Sequence, residues 1–164
     1  MTDMGHGAGP DGGHDEDTVC VVAASSAWPF YRATGAYVCQ PRRRFRDASW
    51  LGFYSARTIH GLVARIEHVV PVVRVDHEEA ARRCFSLDPV ERRVGEALAA
   101  HVHEGGAGDA EVVLLSLPDS PVTQRIGDLT HRGRTAWTMF QRYESLGRLR
   151  AATDTAELGG NGAD

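Results

Sequence analysis

Residues 49–75 read SWLGFYSARTIHGLVARIEHVVPVVRV, and two β-strands are written into them. From about 49 to 55, alternation puts Trp50, Gly52 and Tyr54 on one face and Leu51, Phe53 and Ser55 on the other. Residues 56–60 read as a turn. The next run sets Leu62, Ala64, Ile66, His68 and Val70 against Val63, Arg65, Glu67 and Val69, the pattern of an antiparallel strand with one wet face. Pro71 has no N–H to give a ladder, so a bulge or an edge is expected there before Val72 to Val75 resumes the strand.

On the N-terminal side, TVCVVAASS predicts a first strand at 18–24. SAWPFYRATG predicts an aromatic loop or short helical turn punctuated by Pro29 and Gly35, and AYVCQ a second strand ending at Pro41. On the C-terminal side, HEEAARRC at 77–84 predicts a short helix. The DPVE run at 88–91 is a helix start: Asp88 caps, Pro89 takes the first turn and Glu91 stands three residues after the cap. Val90, Val94, Ala97, Leu98 and His101 then share one stripe, and Gly105-Gly106 ends the helix. AEVVLLSL reads as a central apolar strand closed by Pro118 and Pro121. RTAWTMFQRYES predicts a strand over about 134–143, with Trp137, Met139 and Tyr143 on one face, leading into a short amphipathic helix.

The expectation is one α+β domain over 18–158: a small antiparallel or mixed sheet with two or three short helices. The Gly/Asp/His-rich segment 1–17 and the tail 159–164 are expected to be disordered. A chain of 164 residues, 42% apolar and 24% charged, is long enough for one core and ordinary for a soluble protein. No apolar run nears the roughly 20 residues of a membrane span. The N-terminus lacks the basic start and apolar stretch of a secretory leader, which points to the cytoplasm. Cys20, Cys39 and Cys84 are odd in number and widely spaced, and fit buried thiols better than a disulfide framework or a zinc site.

The formal charge of −4 hides an uneven distribution. Residues 1–18 hold five acids and residues 153–164 three more, leaving fourteen acids against eighteen basic residues between them, about +4. Every basic residue is Arg. Arg42, Arg43, Arg44 and Arg46, with Phe45 among them, form a loop that can clasp phosphate while neighbouring rings stack a flat base. The alternative is a solvated loop. WPFYR at 28–32 places Trp28 where it can wall a pocket or plug the end of a barrel. Arg142 and Tyr143 lie where a strand enters a helix, and either face a ligand or serve the core and a surface ion pair.

No catalytic motif is present: H-E-x-x-H, G-x-S-x-G, the P-loop and the dinucleotide fingerprint are all missing. His101 and His103 are two apart on a predicted helix and point to different sides. A nuclease built on Asp76 and Glu78 lacks a lysine partner. No cofactor or metal is called for, and an enzyme is the lesser expectation.

The segment WLGFYSARTIHGLVARIEHVVPVV, residues 50–73, resembles the core strand pair of the PUA-like superfamily, the pseudo-barrels that include EVE, ASCH and YTH domains. The resemblance lies in Phe53-Tyr54-Ser55 followed by Ile59, Gly61, Ala64, Ile66 and Val69. It implies a small β pseudo-barrel and nucleic-acid binding, with a modified or flipped base in an aromatic pocket at the barrel mouth. On that reading Arg42, Arg43, Arg44 and Arg46 contact the DNA or RNA backbone. Trp50, Tyr54 and Trp137 supply stacking, Ser55 or Arg142 reads polar edges, and Trp28 and Tyr143 complete the pocket. Two alternatives stand beside it: a nucleotide or anionic metabolite at the same mouth, bound or turned over, and a protein-interaction module pairing through the edge near Pro71.

Overall fold

The computed structural model describes residues 16–23, 25–43, 45 and 48–159. In chain order it contains β1 (Thr18–Ala23), α1 (Ala27–Thr34), β2 (Ala36–Cys39), β3 (Trp50–Ser55), β4 (Thr58–Ile59), β5 (Leu62–Val75), α2 (His77–Cys84) and α3 (Pro89–His103). β6 (Gly108–Leu115), β7 (Gln124–Arg125), β8 (Leu129–Thr130), β9 (Gln141–Ser145), α4 (Leu146–Ala151) and a 3-10 turn (Thr155–Leu158) follow. The expected disorder of 1–15 and 160–164 lies outside the described residues. Glu16 and Asp17, expected in the N-terminal tail, are tied to the fold: the Trp50 indole donates to the Glu16 carbonyl at 2.7 Å and Leu146 N–H to Asp17 O at 2.8 Å.

The strand order is β2-β6-β5-β3-β1-β9, with β1 and β3 parallel and the other neighbours antiparallel. The sheet is mixed and does not close: among the described residues no ladder joins β2 to β9. The expected pseudo-barrel is to that extent corrected to an open sheet, and the two or three short helices to four. The sheet nevertheless curls. Cys20, Tyr37, Leu51, Phe53, Ala64, Val113 and Leu115, with Tyr143 packed against them, form one cluster drawing on all six strands of that order, both edges included.

The alternation read in residues 50–55 holds, but both faces are dry. Leu51 and Phe53 enter this inner cluster; Trp50 and Tyr54 enter a second one with Val19, Val21, Val63 and Leu149 beneath α4. The single wet face expected of 62–70 begins only at Arg65, because Val63 and Ala64 are buried on opposite sides. The register shift between Val70 and Val73 is the irregularity expected at Pro71, and a second, unexpected one lies at Ile66/His68.

α3 packs on the outer side of β2, β5 and β6 through Val94, Ala97 and Leu98. Its start follows the sequence signal, the Asp88 carboxylate accepting from Val90 N–H at 2.8 Å. α2 can lie against it only because residue 95 is glycine: a Cβ there would stand 2.5 Å from Cys84 N. The aromatic segment 27–34 is a full helix. Gly35 ends it at φ +67, a conformation that favours glycine, and donates to Tyr31 O at 2.7 Å. This helix carries the chain from inner strand β1 to far edge β2. The strand expected over 134–143 is corrected to Gln141–Ser145. Upstream of it, side chains satisfy the backbone where a ladder would: His131 Nε2 donates to Thr135 O at 2.7 Å, and Trp137 N–H to the Tyr54 hydroxyl at 3.2 Å. Trp137, Met139 and Tyr143 therefore share no face. Trp137 packs on the outer cluster, Met139 is exposed and Tyr143 joins the inner cluster.

Candidate functional site

The edges β2 and β9 approach without pairing, and one side chain spans the gap. Arg43 donates from Nε to Gln141 Oε1 at 3.1 Å, from Nη1 to the Tyr37 hydroxyl at 2.8 Å and from Nη2 to Phe140 O at 3.4 Å. The loop after β2 aims it there. Pro41 stops the strand, and Arg42 adopts φ +57, an uncommon left-handed conformation for a residue with a side chain. Arg42 N–H donates to Pro71 O at 2.8 Å, which ties the turn to the bulge of β5. Arg42 faces solvent and Arg43 turns inward. Phe45 packs edge-on against Tyr37, 6.2 Å between centroids, and holds the loop down. Arg44 and Arg46 lie outside the described residues.

Beside this strut opens a cleft of about 570 Å³, within the range of small-molecule sites. Phe30, Tyr37, Arg43 and His101 line it, and Met139 and Phe140, 76% and 74% exposed, stand at its lip. Neither Met139 nor Phe140 was singled out from sequence as a binding residue. The signal was there: two adjacent large apolar residues before a strand cannot both face one core, since neighbours on an extended chain point oppositely.

Beside Arg43, burial favours the neutral form of several ionisable groups. Burial pushes the Tyr37 hydroxyl up to about 12 and, aided by Glu111, the Cys39 thiol up to about 12. Cys20 is likewise raised to about 11 by burial. Glu111, across the β2–β6 pair from Cys39, is 2% exposed; burial raises its carboxyl, and its Oε1 has no hydrogen-bond partner among the described residues. A thiol or phenol in that state is a poor nucleophile at neutral pH.

The other expected site residues fall into separate groups, a correction to the single aromatic pocket. Trp50 and Tyr54, 8% and 6% exposed, are sealed in the outer cluster and cannot floor a cleft. Trp28 stacks on His60, 4.3 Å between centroids and 3° between planes, and His60 Nε2 shares a 2.7 Å hydrogen bond with Ser55 Oγ. Burial lowers the His60 pKa, so the imidazole is neutral at pH 7. Asp128, the acid near it, accepts instead from Gly61 N–H at 2.7 Å, so no serine–histidine–carboxylate relay is assembled. Neither Trp28 nor Ser55 lines the cleft.

Trp137 and Arg142 do meet, the guanidinium carbon 4.4 Å from the indole centroid, at a smaller hollow of about 330 Å³. Arg142 is committed there, donating from Nε to Glu144 Oε1 at 3.1 Å and from Nη2 to Gly159 O. Tyr143 accepts from Gln141 Nε2 at 3.1 Å on the inner side of the sheet. Of the nine expected residues among those described, Arg43 alone lines the cleft. Among the described residues no group of three or more His, Cys, Asp or Glu is arranged to hold a metal, and no helix is long and apolar enough to cross a membrane. Compared with protein-family models, curated proteins and solved structures, the chain matches none.

Proposed function

We propose that this chain is a nucleic-acid-binding module of the PUA-like kind, taking one unstacked base of a DNA or RNA strand into the cleft between β2 and β9. The observation that carries the reading is the cleft's position. It lies at the open seam of a curled sheet, its lip bears the exposed Phe140 ring, and its wall follows directly from the arginine-rich turn. A base stacked on an aromatic side chain contributes about 1–3 kcal/mol, and the arginines draw the phosphates. On this reading exposed Arg42 serves the phosphates, and Arg43, half-buried and bonded on three sides, faces the base. The neutral thiol and phenol favour binding over turnover.

The test is fluorescence anisotropy with short single-stranded DNA and RNA probes at two salt concentrations. Binding should weaken steeply with salt. Arg42→Ala/Arg44→Ala/Arg46→Ala, which spares the strut, should flatten that salt dependence, and Phe140→Ala should weaken binding about tenfold. Binding indifferent to salt and to both variants contradicts the proposal.

A further inference from the structure

Glu104 and Gln40 bring acceptors to the cleft, but its wall at Arg43 is one-sided in hydrogen-bonding groups. A guanidinium carries five N–H donors and no acceptor. Three of Arg43's are taken by Gln141 Oε1, the Tyr37 hydroxyl and Phe140 O, which leaves one on each terminal nitrogen without a partner among the described residues. The same three bonds occupy acceptors that line or border the cleft. Tyr37 keeps its own hydroxyl proton as a further donor, burial holding that proton on. The wall at Arg43 thus presents donors, on a guanidinium fixed by its bonds to both sheet edges.

We propose, resting on the base-binding reading above, that the cleft selects a 6-oxopurine, guanine or a base sharing its edge, with Arg43 donating to O6 and N7. Of the two common purines, guanine alone presents two adjacent acceptors, O6 and N7, on its Hoogsteen edge, the edge an arginine fork matches. Adenine places an amino donor beside N7 and would set N–H against N–H. Cytosine's corresponding edge offers a donor and uracil's a single acceptor. The flat apolar lip at Met139 and Phe140 holds the ring system, and the wall reads which atoms it carries.

The experiment uses the wild-type chain, so that no variant's folding enters, and five-nucleotide RNA probes of sequence UUXUU. X is guanine, hypoxanthine, adenine or 7-deazaguanine, and binding is read by anisotropy at one salt concentration. Guanine and hypoxanthine share O6 and N7 and should bind alike, adenine about tenfold or more weaker. Removing only the N7 acceptor, in 7-deazaguanine, should weaken binding about threefold to tenfold. Inorganic phosphate at matched ionic strength should leave the preference intact. Equal binding of all four probes overturns the purine selection and leaves the base-binding module standing. Selective displacement by phosphate makes the wall an anion site and also overturns it. No binding of any probe removes the base-binding reading itself. Arg43→Lys, with folding checked by its melting temperature, should keep charge but lose the preference.

Discussion

The middle of the sheet and its seam use the same residue types to opposite ends. In the middle, β1, β3 and β5 are joined by ladders, and Trp50 and Tyr54 are sealed with their polar atoms bonded to Glu16 O and Trp137 N. Arg65 lies over Trp50 as a cover, 5.9 Å from the ring centroid. At the seam no ladder forms; Arg43 takes its place with three side-chain bonds, and an apolar pair stays in solvent. The difference teaches that aromatics and arginines in sequence do not by themselves make a binding site. What separates the two regions is whether the backbone is already paired.

That contrast can be broken hardest from the middle. Phe53, fully buried and stacked on Tyr31 at 5.0 Å, anchors the inner cluster. Phe53→Ala should destabilise the protein by about 3–5 kcal/mol in urea unfolding. At the seam, Arg43→Met keeps the aliphatic stem and removes the charge-assisted bonds. Its expected effect is smaller, about 1–3 kcal/mol, because the edges carry no ladder that would fall with it. A loss as large as that of Phe53→Ala would make the seam part of the core.

The mildest test concerns pH. Glu111's carboxyl is raised by burial, so the folded chain holds its proton more tightly than the unfolded chain does. Its contribution is fully present below the unfolded carboxyl pKa of about 4.3 and is lost as pH rises through the raised folded value. Glu111→Gln should flatten the fall in unfolding free energy on going from pH 4 towards neutrality. An unchanged pH slope would mean that the acid is already ionised in the folded chain.

The fold was legible where local chemistry dictates it. Asp88-Pro89 started α3, the 77–84 helix lies where its sequence put it, and the period-two pattern of 50–55 held. Segment 131–140 was not legible. Its order comes from bonds to distant residues, such as Thr155 on His131 and Tyr54 on Trp137, which no local pattern records. Among the residues that line the cleft, Arg43 is the one that sequence had offered as a site residue. Sequence places a charge cluster after β2, but which arginine turns inward depends on a left-handed residue at Arg42 and on its bond to Pro71, twenty-nine residues away. Trp50 and Tyr54 misled because alternation assigns faces without saying that α4 covers one of them.

The claim that the seam, not the sealed middle, meets the ligand can be read in one NMR titration of chain carrying labelled methionine methyls and tryptophan indoles. On adding the guanine-centred RNA probe, the Met139 methyl should shift and broaden while the Trp50 indole N–H stays in place. Movement of the Trp50 indole with a stationary Met139 methyl would put the ligand elsewhere and contradict the assignment of the site.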